Sequence, residues 1–171
     1  MRLAIPILIC MLATSCAPYG SYPPVEETAS VTSMTFEPVP TVITTSIEWA
    51  RNKETGIIAG SQFTFTLPSG SSQKSYEQIE QRMDGVSKGT DTTSSIGIKS
   101  VRVRGFDASV DISIPRAGGK QPLLYTITLK SSPFKEWKVT EERRWRFNQK
   151  ALAESGRAMT SKNGLAEAES E

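Results

Sequence analysis

The sequence predicts an α+β domain: a curved antiparallel sheet of about four to five strands, packed by one or two N-terminal helices. Two observations lead to this fold class. Apolar residues recur at helical spacing within residues 41–85, and four extended stretches joined by short turn signals fill residues 96–147. Residues 16–40 are rich in Pro, Ser and Thr, which predicts a disordered tether. Residues 149–171 are rich in Ala, Ser and Glu, which predicts a flexible or partly helical tail. The domain is predicted between them, at 41–148.

The first predicted element is a helix at 41–55, which Pro40 can begin and Gly56 can end. Its apolar residues at helical spacing are Val42, Ile43, Ile47 and Ala50. The same stretch also fits a strand, in which Ile43, Thr45, Ile47 and Trp49 would share one face. The flanking proline and glycine favour the helix.

A strand is predicted at 62–67, where Phe63, Phe65 and Leu67 alternate with polar residues until Pro68 stops the pattern. A second helix follows, capped by Ser71 or Ser72 and ended by Gly85. Its apolar stripe consists of Tyr76, Ile79 and Met83. This helix should lie with one face on a sheet.

A polar loop at 88–95 separates the second helix from four predicted strands, at 96–104, 108–114, 123–130 and 137–147. The last two strands resemble the cystatin-like and nuclear-transport-factor-2-like superfamily, in which a Tyr-x-Val-x-Leu strand, a turn and Trp-x-Val recur. The matching residues here are 125–129 and 137–139. The resemblance implies the curved sheet, and since this superfamily includes enzymes, binding modules and assembly domains, it implies no activity.

The N-terminus resembles that of a bacterial lipoprotein. Arg2 precedes an uncharged apolar run at 3–12, too short to span a bilayer, and Leu12-Ala-Thr-Ser-Cys16 is similar to a lipobox. The resemblance implies a signal peptide at 1–15 and a diacylglycerol thioether with an acylated amine on Cys16. Ala17 favours the outer membrane, facing the periplasm, over the inner membrane. An ordinary secretory signal with a chance cysteine is the alternative. The mature chain also resembles small lipoproteins of environmental bacteria.

Composition excludes several kinds of chemistry. The chain contains no histidine, Cys10 leaves with the leader and Cys16 would be acylated, so His- or Cys-based catalysis and His- or Cys-ligated metal sites are excluded. No phosphate-binding or dinucleotide-binding motif occurs, and a formal charge of +2 does not indicate a nucleic-acid binder. We therefore expect no metal, no cofactor and no nucleic-acid partner.

The candidate binding residues are Arg102, Arg104, Arg144, Arg146 and Trp145. Alternation places the first two arginines on one sheet face, and Arg144 and Arg146 likewise share a face, so neighbouring strands could form a basic patch for phosphate or carboxylate groups. In the alternative, they form a solvated face of the sheet, paired with Glu141, Asp107 or Asp111. Carboxylates at Glu77, Glu80 and Asp84 are interpreted as solubilising charges rather than as acid–base catalysts.

The sequence thus predicts a non-enzymatic, membrane-anchored envelope lipoprotein with a binding or structural domain. Its partner would be another envelope component. The alternative is a small-ligand-binding or hydrolytic domain with a pocket between the helices and the sheet.

The lipid anchor is testable at Cys16. A Cys16→Ser variant should give a soluble or uncleaved product, because the acylated residue is lost. Mass spectrometry of the wild-type mature N-terminus should find Cys16 with a thioether-linked diacylglycerol and an acylated amine. An unmodified N-terminus at any other residue would contradict the lipoprotein assignment.

Overall fold

The computed structural model describes residues 20–24, 30–53, 63–91, 94–116 and 120–146. These residues form two helices and one open sheet of eight strands. The helices are α1 (Val39–Lys53) and α2 (Gln73–Glu80); the strands are β1 (Gly20–Tyr22), β2 (Ser30–Val31), β3 (Phe63–Thr66), β4 (Val86–Lys88), β5 (Ile96–Arg104), β6 (Asp107–Ile114), β7 (Leu123–Ser132) and β8 (Lys135–Trp145). The fold class is α+β, as predicted, but the sheet has more strands than expected and is mixed.

The long strands β5, β6, β7 and β8 form an antiparallel meander in sequence order. Alternate residues of β5, β6 and β7 point to one face, which we call the inner face, and most of them are buried. The buried inner-face residues include Ile98, Val101, Val103, Ala108, Val110, Ile112, Tyr125, Ile127 and Leu129. These strands are the ones predicted from period-2 alternation, and their bounds lie within about two residues of the prediction.

The second edge of β5 is shared by two other strands. Its start pairs in parallel with β3 at Ile96 and Gly97, and its end pairs antiparallel with β1 between Val101 and Val103. β3 also pairs in parallel with β4, because α2 carries the chain back before β4 begins. The prediction of a wholly antiparallel sheet is therefore wrong for β3, which pairs in parallel with β4 and β5, and for the parallel pair of β1 and β2.

The segment predicted as a tether contributes to the sheet. Gly20–Tyr22 pairs with β5, and Ser30–Val31 extends the sheet by pairing with β1. These strands are too short for a hydrophobic period to appear, and backbone hydrogen bonds to an existing edge hold them. The predicted signal peptide with Cys16 and the predicted tail at 149–171 lie outside the described residues.

Helix α1 packs across the inner face of the sheet. Its stripe of Val42, Ile43, Ile47 and Ala50 is fully buried, as the helical prediction requires. Trp49 meets Tyr125 of β7 edge to face, with ring centroids 5.3 Å apart. The C-terminal end of the helix is held by an ion pair between Lys53 and Glu142 of β8.

Helix α2 begins at its cap Ser72, whose Oγ accepts the backbone N–H of Ser75 at 3.2 Å. Its predicted stripe residues Tyr76, Ile79 and Met83 are all buried, but the helix ends at Glu80 rather than at Gly85, so Met83 lies in the turn that follows it. The hydroxyl of Tyr76 accepts the N–H of Leu67 at 3.0 Å, which fixes the helix to the end of β3. Neither α1 nor α2, the helices of the described residues, is long and apolar enough to cross a bilayer.

The burial of Phe65 makes a stability prediction possible. Phe63, Phe65 and Leu67 are all buried, and Phe65 has no solvent exposure. Phe65→Ala should lower the free energy of unfolding by about 3–5 kcal/mol, because it leaves a cavity in the core. Denaturant unfolding measures this change, with the exposed Phe36 as a matched control: Phe36→Ala should change stability by less than about 0.5 kcal/mol. A loss below about 1 kcal/mol for Phe65→Ala would contradict the assignment of Phe65 to the buried core.

Candidate functional site: the outer face of the sheet

No helix of the described residues covers the face of the meander opposite α1, and we call it the outer face. Its cross-strand neighbours form four rows across β5, β6, β7 and β8: Gly97, Ser113, Leu124 and Trp145; Ser100, Asp111, Thr126 and Arg143; Arg102, Ser109, Thr128 and Glu141; Arg104, Asp107, Lys130 and Lys138. Apart from Gly97 and Ser113, these residues are partly or fully exposed. The sheet itself therefore forms this surface.

Asp111 lies at the centre of a hydrogen-bonded network on the outer face. One of its carboxylate oxygens accepts the hydroxyl of Ser100 and the guanidinium of Arg102, each at 2.6 Å. The other carboxylate oxygen accepts the hydroxyl of Thr126. Three strands are thus linked through one carboxylate, and charge-assisted bonds of this kind fix side-chain positions more firmly than neutral ones.

Trp145 continues this network to the edge strand. Its indole Nε1 donates to Thr126 Oγ1 at 2.8 Å, and the guanidinium of Arg143 lies 4.7 Å from the ring centroid. The ring is nevertheless 44% exposed. The hydrogen bond to Thr126 and the cation–π contact with Arg143 therefore hold the exposed indole ring in a defined orientation.

A groove of about 300 Å³ lies beside Trp145. It is lined by Lys99, Asp111, Ile112, Leu124, Tyr125 and Trp145. Its lining is mostly apolar, with Asp111 and Lys99 as the charged residues. The groove can therefore take an apolar or planar group of a partner while a carboxylate and an ammonium lie at its side.

Two local features of β5 shape the groove. The register shifts between Ile98 and Ser100, which makes Lys99 a bulged residue. At Gly97, an added Cβ would lie 2.4 Å from Ser113 Oγ, and Lys99 Cε would be 3.5 Å away. Because Gly97 has no side chain, it leaves space on the outer face that the side chain of Lys99 can occupy.

The five residues predicted as a basic patch do not come together. Arg102 and Arg104 lie on the outer face, on a strand that β6 and β7 separate from β8. Arg144 pairs with Tyr125 and so lies on the inner side, and Arg144, Trp145 and Arg146 line a second surface cavity that neither Arg102 nor Arg104 reaches. Trp145 shares the outer face with Arg102, to which Thr126 and Asp111 connect it.

The alternative interpretation, a solvated face with paired charges, describes the placement of Arg102. Arg102 forms an ion pair with Asp111, as expected for a solvated face with cross-strand charge pairs. Asp111, Thr126 and Arg143 were not predicted as site residues. The sequence signal for Asp111 and Thr126 is the alternation of polar with apolar residues along β6 and β7, which by itself assigns the polar ones to a common face.

The predicted solubilising carboxylates of α2 lie away from this face. Glu80 accepts the backbone N–H of Lys88 at 2.6 Å, which joins the helix to β4. Among the described residues, no cluster of three or more His, Cys, Asp or Glu side chains could hold a metal ion.

The outer face carries more basic than acidic side chains. The basic ones are Lys99, Arg102, Arg104, Lys130, Lys138 and Arg143, and the acidic ones are Asp107, Asp111 and Glu141. A surface with this excess and an oriented tryptophan suits recognition of a partner with carboxylate or phosphate groups. No protein-family model, curated protein or solved structure matches the chain.

The Asp111 network predicts a stability difference between two aspartates on the same strand. Asp111→Ala should lower the free energy of unfolding by about 1.5–3 kcal/mol, because it removes three accepted hydrogen bonds and leaves Arg102 without its carboxylate. Asp107→Ala is the control, since its side chain is 59% exposed and 4.0 Å from Lys130. It should cost less than about 0.5 kcal/mol by chemical denaturation. Equal losses would contradict a central role for Asp111.

Proposed function

We propose that the chain is a lipid-anchored protein of the bacterial cell envelope, whose α+β domain binds another envelope component through the outer face of its sheet. The observation that carries this proposal is the oriented, exposed Trp145 beside a groove, on a face that α1 leaves open. The lipobox-like residues before Cys16 supply the anchoring part of the proposal. The outer membrane is the proposed location.

The organisation of the outer face supports partner binding. Tryptophan and arginine are the residues that most often dominate binding energy at protein interfaces. Here the network through Thr126 and Asp111 already fixes Trp145, so binding loses less side-chain entropy than it would with a mobile ring. The excess of basic groups favours association with a partner that carries negative charge.

A non-catalytic role is proposed from residue chemistry and packing together. The chain lacks histidine, and the alternative of a ligand-binding or hydrolytic pocket places that pocket between helix and sheet. In that space Ile43 and Ile47 of α1 and Ile112 and Ile127 of the sheet are buried, with exposures of 0–1%. This packing favours a surface-binding domain over an internal pocket.

Site-specific photo-crosslinking in the native envelope tests the binding face. A photo-reactive residue at Thr128, on the outer face, should form a defined adduct with the partner. The matched control is a variant of the same chain with the photo-reactive residue at Glu48, an exposed position on α1. This variant should form no adduct with the partner. Adding Trp145→Ala should reduce the Thr128 adduct by about tenfold or more, the loss typical of a central interface residue.

The readout is adduct intensity after purification of the crosslinked protein. Thermal unfolding of the Trp145→Ala protein establishes that the domain is still folded. Equal adducts from Thr128 and Glu48, or a Thr128 adduct that Trp145→Ala leaves unchanged, would contradict the proposed face.

A further inference from the structure

One end of the sheet presents two exposed phenylalanines on neighbouring hairpin turns. Phe106 lies in the turn between β5 and β6 and is 53% exposed; Phe134 lies in the turn between β7 and β8 and has no burial. The first turn is bonded to the end of β7 that leads into the second, since the N–H of Ser131 donates to the carbonyl of Phe106 at 2.8 Å. We call this end of the sheet, with Phe106 and Phe134, the turn end.

The backbone at Phe134 does not favour phenylalanine. Its φ of 71° lies in the left-handed region, which glycine and asparagine adopt readily and bulky side chains rarely do. The equivalent turn between β5 and β6 has Gly105, with φ 57°, in this conformation. A ring that is both fully exposed and in an unfavourable backbone conformation contributes little to folding, so its presence suggests a role in binding.

Basic side chains surround the phenylalanines. Arg104 and Lys130 belong to the last row of the outer face, and Lys135 follows Phe134 directly. Lys138 is the fourth basic residue, and the acidic residues at this end are Asp107 and Glu136. Exposed aromatic rings within a basic border match the interface of an anionic phospholipid membrane, where rings enter the headgroup region and lysines contact the negative headgroups.

The first residue of β1 lies at the same end of the sheet. Gly20 pairs with Val103, and β1 runs antiparallel to β5, so Gly20 lies beside the end of β5 at Arg104. Cys16 precedes Gly20 by four residues, a length that spans at most about 14 Å. A lipid on Cys16 would therefore place its membrane close to the turn end.

We propose that the turn end lies on an anionic phospholipid membrane, with Phe106 and Phe134 inserted at its interface and the neighbouring lysines on its headgroups. The contribution of the N-terminus rests on the proposed lipidation of Cys16. The phenylalanines and lysines support contact with a membrane independently of that lipid. The strands would then point away from the membrane surface, and Trp145 would lie at the end of the sheet that is farther from the membrane.

Vesicle binding by protein without lipid tests this contact. The chain from Ala17 to Glu171 keeps every residue that the structure describes and removes the anchor. In flotation assays it should bind vesicles of phosphatidylcholine mixed with phosphatidylglycerol, and should bind pure phosphatidylcholine or the mixture at high salt much more weakly. Phe106→Ser combined with Phe134→Asn should reduce partitioning into the mixed vesicles at least about tenfold, because burial of two rings is lost.

Matched variants separate the two contributions. Phe36→Ser is the control for the rings, since Phe36 is 71% exposed and lies in neither turn; it should bind like the unsubstituted protein. Lys130→Glu with Lys135→Glu should abolish the preference for phosphatidylglycerol. Phe134→Asn alone should leave the thermal midpoint equal or raise it, because asparagine suits the left-handed backbone, while still weakening vesicle binding.

Several results would overturn the proposal. These are no binding to mixed vesicles, equal binding by the double phenylalanine variant and Phe36→Ser, or a lowered thermal midpoint for Phe134→Asn, which would make the ring structural. A photo-reactive residue at position 134 that captures protein instead of lipid in the native envelope would also overturn it. An unlipidated Cys16 would refute the proposed anchoring but leave the vesicle result standing, so the two failures are distinguishable.

Discussion

The pairing of β5 along both of its edges is the constraint on which the rest of the structure depends. β6 follows nearly the whole of one edge, while β3 and β1 divide the other between them. Ile98 and Val101 of this strand are almost fully buried beneath α1. The strand therefore joins the N-terminal segment, the βαβ unit around α2 and the antiparallel meander. Its bulge at Lys99 and its glycine at 97 shape the groove, so fold and candidate site depend on the same nine-residue strand.

How much could be predicted from the sequence depended on whether an element carries its own period. The strands β5, β6 and β7 and both helices were predictable because each buries one face, and burial leaves a spacing of two or of three to four residues. β1, β2 and β4 have two or three residues each, too few for a period, and they exist because a neighbouring edge accepts their backbone groups. The parallel pairing of β3 could not be predicted either, because it depends on where the chain lies after α2.

The candidate site was harder to predict than the fold, because it depends on register. β8 shifts register between its pairings with Thr128 and Leu129, so odd-numbered Val139 lies on the inner side before the shift and even-numbered Glu142 lies there after it. A shift of one residue exchanges the two faces of a strand. Trp145 could be recognised as a candidate residue, but this bulge decides whether Trp145 or its neighbour Arg144 lies on the outer face with Arg102. The Asp111 network likewise needs the cross-strand partners of three strands.

The edge strand β8 links the two proposed surfaces. It runs from the turn at Phe134 to Trp145, and ten residue steps at about 3.3 Å each separate its ends by roughly 33 Å. Charged residues at 141–144 discourage edge-to-edge pairing with other strands, and Glu142 also holds α1 through Lys53. If the turn end lies on the membrane, the rigid meander carries the Trp145 groove well beyond the headgroups, where a component in the aqueous space can reach it. The membrane contact would then set the orientation of the binding face, because two rings and several lysines fix more degrees of freedom than a single lipid attachment.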